Sequence, residues 1–175
     1  MEEGKLTLLT EPFAVEDIEW RVTQQDVYDA TRNKKALGWA QVVAYIDNRA
    51  VQNRLDEVCG QRNWRNEYAP GPDGGVLCGI SIRVEGEWVT KYDAADNTNI
   101  EAVKGGVSDA MKRAAVQWGI GRYLYKLDAA FVQLYEEKSE SRTQTTYIKD
   151  AQKRAWWEVP RLPDWALPER KQDVS

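Results

Sequence analysis

The sequence predicts an α+β fold built on an antiparallel β-β-β-α core, and three observations carry that prediction. Val76–Val84 alternates apolar and polar residues and joins a second strand-like run through the tight connection Glu85-Gly86. The longest helical periodicity in the chain, Ile100, Val103, Val107, Met111, Ala114 and Trp118, follows that meander directly. A length of 175 residues suits a single domain. Such a chain buries roughly 68–70% of its unfolded surface and needs no disulfide or metal to hold a core.

Each element has its own local reason. Residues 12–20 predict a short helix, with Pro12 in its first turn and Thr10 as its cap. Residues 24–38 are polar and show no clear period. Trp39–Ile46 alternates as a strand does, with Val42, Ala44 and Ile46 on one face and Val43 and Tyr45 on the other. Asp47 or Asn48 then caps a helix that runs to Cys59, stops at Gly60 and buries Val51, Leu55 and Val58. Trp64–Tyr68 predicts a strand and PGPDGG a turn. Val76–Val84 follows, with Val76, Cys78, Ile80, Ile82 and Val84 inward, and Glu87–Asp93 is the next strand. Thr98-Asn99-Ile100-Glu101 matches a capping box at the start of the long helix, and Gly119 matches its stop. Gly105 and Gly106 inside that helix cost about 1 kcal/mol each relative to Ala, so a closely approaching backbone or ligand is expected there. Ala130–Glu136 predicts one more strand, residues 137–146 a polar connection, and Tyr147–Trp157 a helix before a proline-rich irregular tail. The helices are expected on one face of the sheet. Residues 1–135 form the expected core and residues 136–175 an extension.

Composition excludes several chemistries. The chain has no histidine, which removes Ser-His and Cys-His catalysis and every histidine-based zinc site. Cys59 and Cys78 cannot form a four-thiolate metal site. They are expected as free thiols, a pairing between them being the alternative. No apolar run of about 18 residues is present and the first residues lack an apolar signal core, so a cytoplasmic protein without a membrane partner is expected. No Walker A motif occurs, and the Gly119-Ile120-Gly121 start of a dinucleotide loop fails at Leu124. The alternative enzyme reading takes Asp93, Asp96 and Glu101, with Lys104, as a magnesium nuclease site. Against it, Glu101 and Lys104 lie three apart on a helix, and Glu101 already has a capping role. No cofactor, metal ligand or catalytic residue is therefore assigned.

Charge is unevenly spread. Six acids stand against Lys5 in residues 1–20, whereas residues 104–126 hold Lys104, Lys112, Arg113, Arg122 and Lys126 against Asp109 alone. With Ile100 at zero and 100° per residue, Lys104 falls near about 40°, Lys112 near about 120° and Arg113 near about 220°. The Lys-Arg pair is thus expected to straddle the outer face. Arg122 and Lys126 extend the positive charge, with Tyr123 and Tyr125 between them. A solvated helix face, or a helix packing on an acidic protein partner, has the same composition. Cations interleaved with rings are also what a groove for single-stranded nucleic acid requires, since cations meet phosphates and rings meet unstacked bases.

The stretch KGGVSDAMKRAAVQWGIGRYLY resembles the signature helix of the Rad52/Rad22 family of single-strand annealing proteins, and is most similar to its Sak-type phage annealases. IEWRV (Ile18–Val22), YIDNRAVQNRLDEVCGQRNW (Tyr45–Trp64) and the Gly79–Asp93 hairpin agree in order. The resemblance implies a protein that assembles with itself into a ring, binds single-stranded DNA and anneals complementary strands without ATP or bond cleavage. It implies DNA contacts at Lys112, Arg113, Lys104, Arg21 and Tyr45, to which the basic Arg122 and Lys126 are added. A host single-strand binding protein is a further implied partner, and the bacterial cytoplasm is the implied setting if the chain is phage-encoded. The chain departs from eukaryotic members at Val116, where they carry a basic residue, and at the acidic Asp93 and Asp96, which weighs against a second, outer DNA site and leaves its existence open.

Overall fold

A computed structural model describes residues 2–28, 36–96 and 102–169, for residues 72 and 102–104 by backbone alone. In chain order the regular elements are β1 (Ile18–Val27), β2 (Gly38–Ile46), α1 (Asn48–Cys59), β3 (Trp64–Pro70), β4 (Val76–Val84), β5 (Glu87–Ala95), α2 (Ala102–Gln117), β6 (Ala130–Leu134), β7 (Gln144–Ile148) and β8 (Lys153–Trp157). They group into two compact units. One comprises residues 1–17, 46–125 and 168–175, the other residues 18–45 and 126–167. No helix among the described residues is long and apolar enough to cross a membrane.

The first unit contains the expected β-β-β-α arrangement, a sheet of order β3-β4-β5 with both pairings antiparallel. β4 is central, so Cys78, Ile80 and Ile82 are fully buried, while Val76 and Val84 at its ends are half-buried. Its opposite face is covered differently. Ser81 and Thr90 share a hydrogen bond at 2.8 Å, and the Tyr92 ring fills the space that a side chain at Gly79 would need. Glu85 and Gly86 turn the β4–β5 hairpin with φ of 50° and 93°, the pair of positive values a two-residue primed turn demands.

Both helices of this unit end as their sequences dictate. The Asp47 carboxylate accepts from the Ala50 amide at 2.8 Å and caps α1, and Gly60 ends it at φ 79°. Cys59 takes the buried place expected for Val58, which is half-buried, because the stripe advances Val51, Leu55, Cys59 in steps of four. α2 packs on the β4–β5 side through Ala110, Met111, Ala114 and Ala115, and the Trp118 indole donates to the Ile80 carbonyl at 2.9 Å. Beyond α2, the Ile120 amide returns to the Ala115 carbonyl at 3.1 Å and the Gly119 amide to Val116 at 3.0 Å. With Gly119 at φ 93°, this is a Schellman stop. The expected capping box at residues 98–101 lies outside the described residues.

The second unit is a sheet of order β1-β2-β6 with a separate antiparallel hairpin of β7 and β8. Ala40, Val42, Leu134, Ile148, Ala155 and Trp157 are its core. Two sequence expectations are overturned here. Residues 12–20 do not form a helix: Val15–Asp17 makes one 3-10 turn, and β1 begins at Ile18 with alternating burial through Trp20 and Val22. The apolar positions continue at a period of two beyond residue 20, where the helical reading stopped. Tyr147–Trp157 is likewise no helix but the β7–β8 turn and strand. Gln152 takes φ 49°, breaking any helix, and the hairpin sends Ile148, Ala155 and Trp157 into one core.

Candidate nucleic-acid interface

The sequence-predicted residues fall into two clusters, one in each unit. In the first, α2 brings Lys112 and Arg113 against acids. The Lys112 ammonium lies 2.8 Å from the Asp109 carboxylate, and its side chain is only 12% exposed. The Arg113 Nη2 and Nε lie 3.1 and 3.2 Å from Asp93 Oδ1, with the side chain 53% exposed. The expectation that both residues project from the outer face is therefore corrected for Lys112, which is largely covered, whereas Arg113 is exposed although paired. α2 lies across β5 as well as β4, so the flank near Arg113 meets the end of β5. Gly106, two turns earlier on that flank, is buried, as a position of close approach would be.

Asp93 is well supplied with donors. Gln117 Nε2 donates to Oδ2 at 3.0 Å, and the Ala94 amide donates to Oδ1 at 2.8 Å. Burial pushes the Asp93 carboxyl pKa up, but the hydrogen bonds from Gln117 and Ala94 and the Arg113 charge outweigh it and hold the group below its ordinary 3.8. Among the described residues no group of three or more His, Cys, Asp or Glu could hold a metal ion. Asp93 anchors Arg113, and Glu101, another acid of the magnesium alternative, lies outside the described residues.

The other basic residues of this region are dispersed. The Arg122 guanidinium closes the end of α2, donating to the Val116 carbonyl at 2.9 and 2.6 Å and to Gln117 at 3.0 Å. Tyr123 is turned inward, its hydroxyl accepting from the Phe13 amide at 3.0 Å, whereas Tyr125 is 74% exposed. Lys126 is exposed and belongs to the second unit. Lys104 lies on α2, its side chain outside the described residues.

In the second unit, Arg21 of β1 and Tyr45 of β2 meet directly, the guanidinium carbon 3.5 Å from the ring centroid. They lie on the sheet face opposite Ala40, Val42 and Leu134. On that face the Thr23 hydroxyl reaches the Gln41 carbonyl at 3.2 Å. The Trp39 and Phe131 rings lie 5.5 Å apart between centroids, tilted by 49°, and Arg142 lies 3.5 Å over the Tyr135 ring. Sequence reasoning missed Trp39, Phe131, Tyr135 and Arg142. The signal was present in the odd-numbered positions of Trp39–Tyr45 and Ala130–Glu136, which put the aromatic residues on one face.

Comparison with known proteins gives the same direction. The family described as Rad52/22 family double-strand break repair protein matches residues 4–71 and 75–145. A protein of Deinococcus radiodurans named single-stranded DNA-binding protein DdrA is 32% identical over 165 residues, 93% of this chain and 67% of that protein. The protein of the same name from Deinococcus deserti is 35% identical over 134 residues, 75% of this chain and 58% of that protein.

Proposed function

The chain belongs to the Rad52/22 family of double-strand break repair proteins, and from that premise we propose that it binds single-stranded DNA and anneals complementary strands in recombination or repair. The observation that carries the reading is the Arg21–Tyr45 pair. Two residues assigned to DNA contact from sequence, on separate strands, form one cation–ring unit on an exposed sheet face. A guanidinium held over a ring still has donors for a phosphate, and the ring beside it suits an unstacked base. The names of the two Deinococcus relatives support the same substrate. In this reading Lys112, Arg113, Lys104, Lys126, Arg21 and Tyr45 contact the strand. Arg122 adds positive charge while closing α2. The reaction needs neither ATP nor bond cleavage, residues 1–135 form the annealing core, and the protein works as a homo-oligomeric ring. A host single-strand binding protein and the bacterial cytoplasm complete the proposed setting.

Binding of a labelled oligonucleotide over a range of salt tests the reading. Phosphate neutralisation releases counterions, so log affinity falls against log salt by about 0.7 per phosphate contacted. The double variant Lys112→Ala, Arg113→Ala should lose binding and annealing together, similarly for all sequences, with a slope shallower by about 0.7 for each lost contact. A flat salt response, or shortened strands after incubation with magnesium, would refute it. Light scattering showing a monomer with and without DNA would refute the ring.

A further inference from the structure

We propose that the Trp39–Phe131 ring pair is a base-stacking platform for the bound strand, on the sheet face that carries Arg21 and Tyr45. The proposal rests on the single-strand reading above and assigns a site to residues that reading does not use. Phe131 is 69% exposed, which leaves a large apolar ring in water. Pairing of Gln41 with Phe131 and of Trp39 with Gln133 places both rings diagonally on one face, and their planes meet at 49°. Trp39 stands six residues before Tyr45 on β2, about 20 Å away at the strand rise of ~3.3 Å per residue.

The platform is the middle of an ordered series. Arg21 on Tyr45 lies at one end, Trp39 with Phe131 follows, and Arg142 on Tyr135 lies beyond. A cleft of about 340 Å³ opens beside Phe131, with Gln133, Tyr135, Glu158, Val159 and Pro160 among its walls. The Arg142 Nε is buried without a hydrogen-bond partner. Cations at both ends, with the exposed Phe131 ring and the half-buried Trp39 ring between them, match a strand whose phosphates flank its bases, and this favours nucleic acid over a second copy of the chain. Stacking engages the faces of bases and leaves their Watson–Crick edges in solvent. A platform of this kind can therefore hold bases in the orientation that pairing with a complementary strand requires.

Affinities of the full chain, Phe131→Ala and Phe131→Leu for a thymidine oligonucleotide and for an abasic oligonucleotide of equal length test the platform. Both variants should bind the base-bearing strand on the order of tenfold more weakly, from the usual worth of one stacked base. They should bind the abasic strand as the unaltered chain does, and their salt slopes should not change, because no phosphate contact is lost. The Phe131→Leu variant separates stacking from mere apolar area. Equal binding of the base-bearing strand by all three proteins overturns the platform while leaving the single-strand reading intact. A change in assembly size by light scattering, with per-protomer affinity unchanged, overturns it in favour of a contact between copies. Failure of the unaltered chain to bind either strand overturns both.

Discussion

Arg113 and Asp93 are joined by two contacts, from Nη2 at 3.1 Å and from Nε at 3.2 Å, both to the same carboxylate oxygen. The pair ties α2 to the end of β5 with the carboxylate only 20% exposed and the guanidinium half out in solvent. One edge of Arg113 is thus fixed by the protein, and a phosphate would meet a cation already oriented. Such a contact couples binding to stability, which an ordinary surface arginine does not.

Arg113→Ala should therefore destabilise the fold as well as weaken DNA binding. Removing one partner of this half-exposed ion pair costs up to about 1 kcal/mol, against within about 0.5 kcal/mol for an ordinary surface change. Thermal unfolding of Arg113→Ala beside Lys5→Ala, an exposed charge, reads the difference. Equal melting temperatures would mean that the pair contributes nothing to the fold.

The same pair gives an acid-side signature. The Asp93 carboxyl is held below 3.8, so the native state binds its proton more weakly than the unfolded chain does. Its contribution is complete above 3.8 and is lost as pH falls through the lower native value. The melting-temperature gap between the unaltered chain and Asp93→Asn should stay constant from neutral pH down to about 4 and then narrow. A gap that widens on acidification would contradict the assignment.

The thiols behave in the opposite sense. Burial pushes the pKa of both Cys59 and Cys78 up to about 11 from 9.0. The protonated, neutral form is favoured in the folded chain, so stability is complete below 9 and declines as pH rises toward 11. At pH 8 both should react slowly with iodoacetamide in the native protein and quickly in denaturant, since the thiolate is the nucleophile. Rapid native labelling would show that one of them is not enclosed.

Arg21 and Tyr45 should act as a unit. Arg21→Ala and Tyr45→Leu should each weaken binding of single-stranded DNA, and the double variant should lose less than the sum. The coupling expected for an exposed cation–ring pair is about 0.5–1 kcal/mol. Strict additivity in the four-protein cycle would separate their roles.

Gly119 is expected to be intolerant where Gly86 is not. Both take φ 93°, but a methyl at Gly119 would sit 2.6 Å from the Thr10 methyl carbon, while nothing lies within 4 Å of the same position at Gly86. Gly119→Ala should therefore cost more than Gly86→Ala, whose penalty of about 1–2 kcal/mol is backbone strain alone. Urea denaturation of the two variants checks the ranking.

The sequence by itself determined what depends on near neighbours. The bounds of α1 follow from Asp47 and Gly60, the β4–β5 hairpin from Glu85-Gly86, and the end of α2 from Gly119, because caps and primed turns are satisfied within a few residues. The resemblance carried by the α2 signature gave the family in the same way. Tertiary structure decided the rest. Residues 147–157 offer apolar groups at spacings compatible with either period, and packing Ile148, Ala155 and Trp157 into the core with Ala40, Val42 and Leu134 selects the hairpin. Lys112 meets Asp109 three residues earlier on its own helix, but the acid that holds Arg113 is set by how α2 lies on β5, Asp93 being 20 residues upstream. Trp39 and Phe131 are further apart still, and only the pairing of β2 with β6 brings their rings together. A helix cap is chosen by the chain next to it, whereas a ring pair or an ion pair across strands exists only after the sheet has formed.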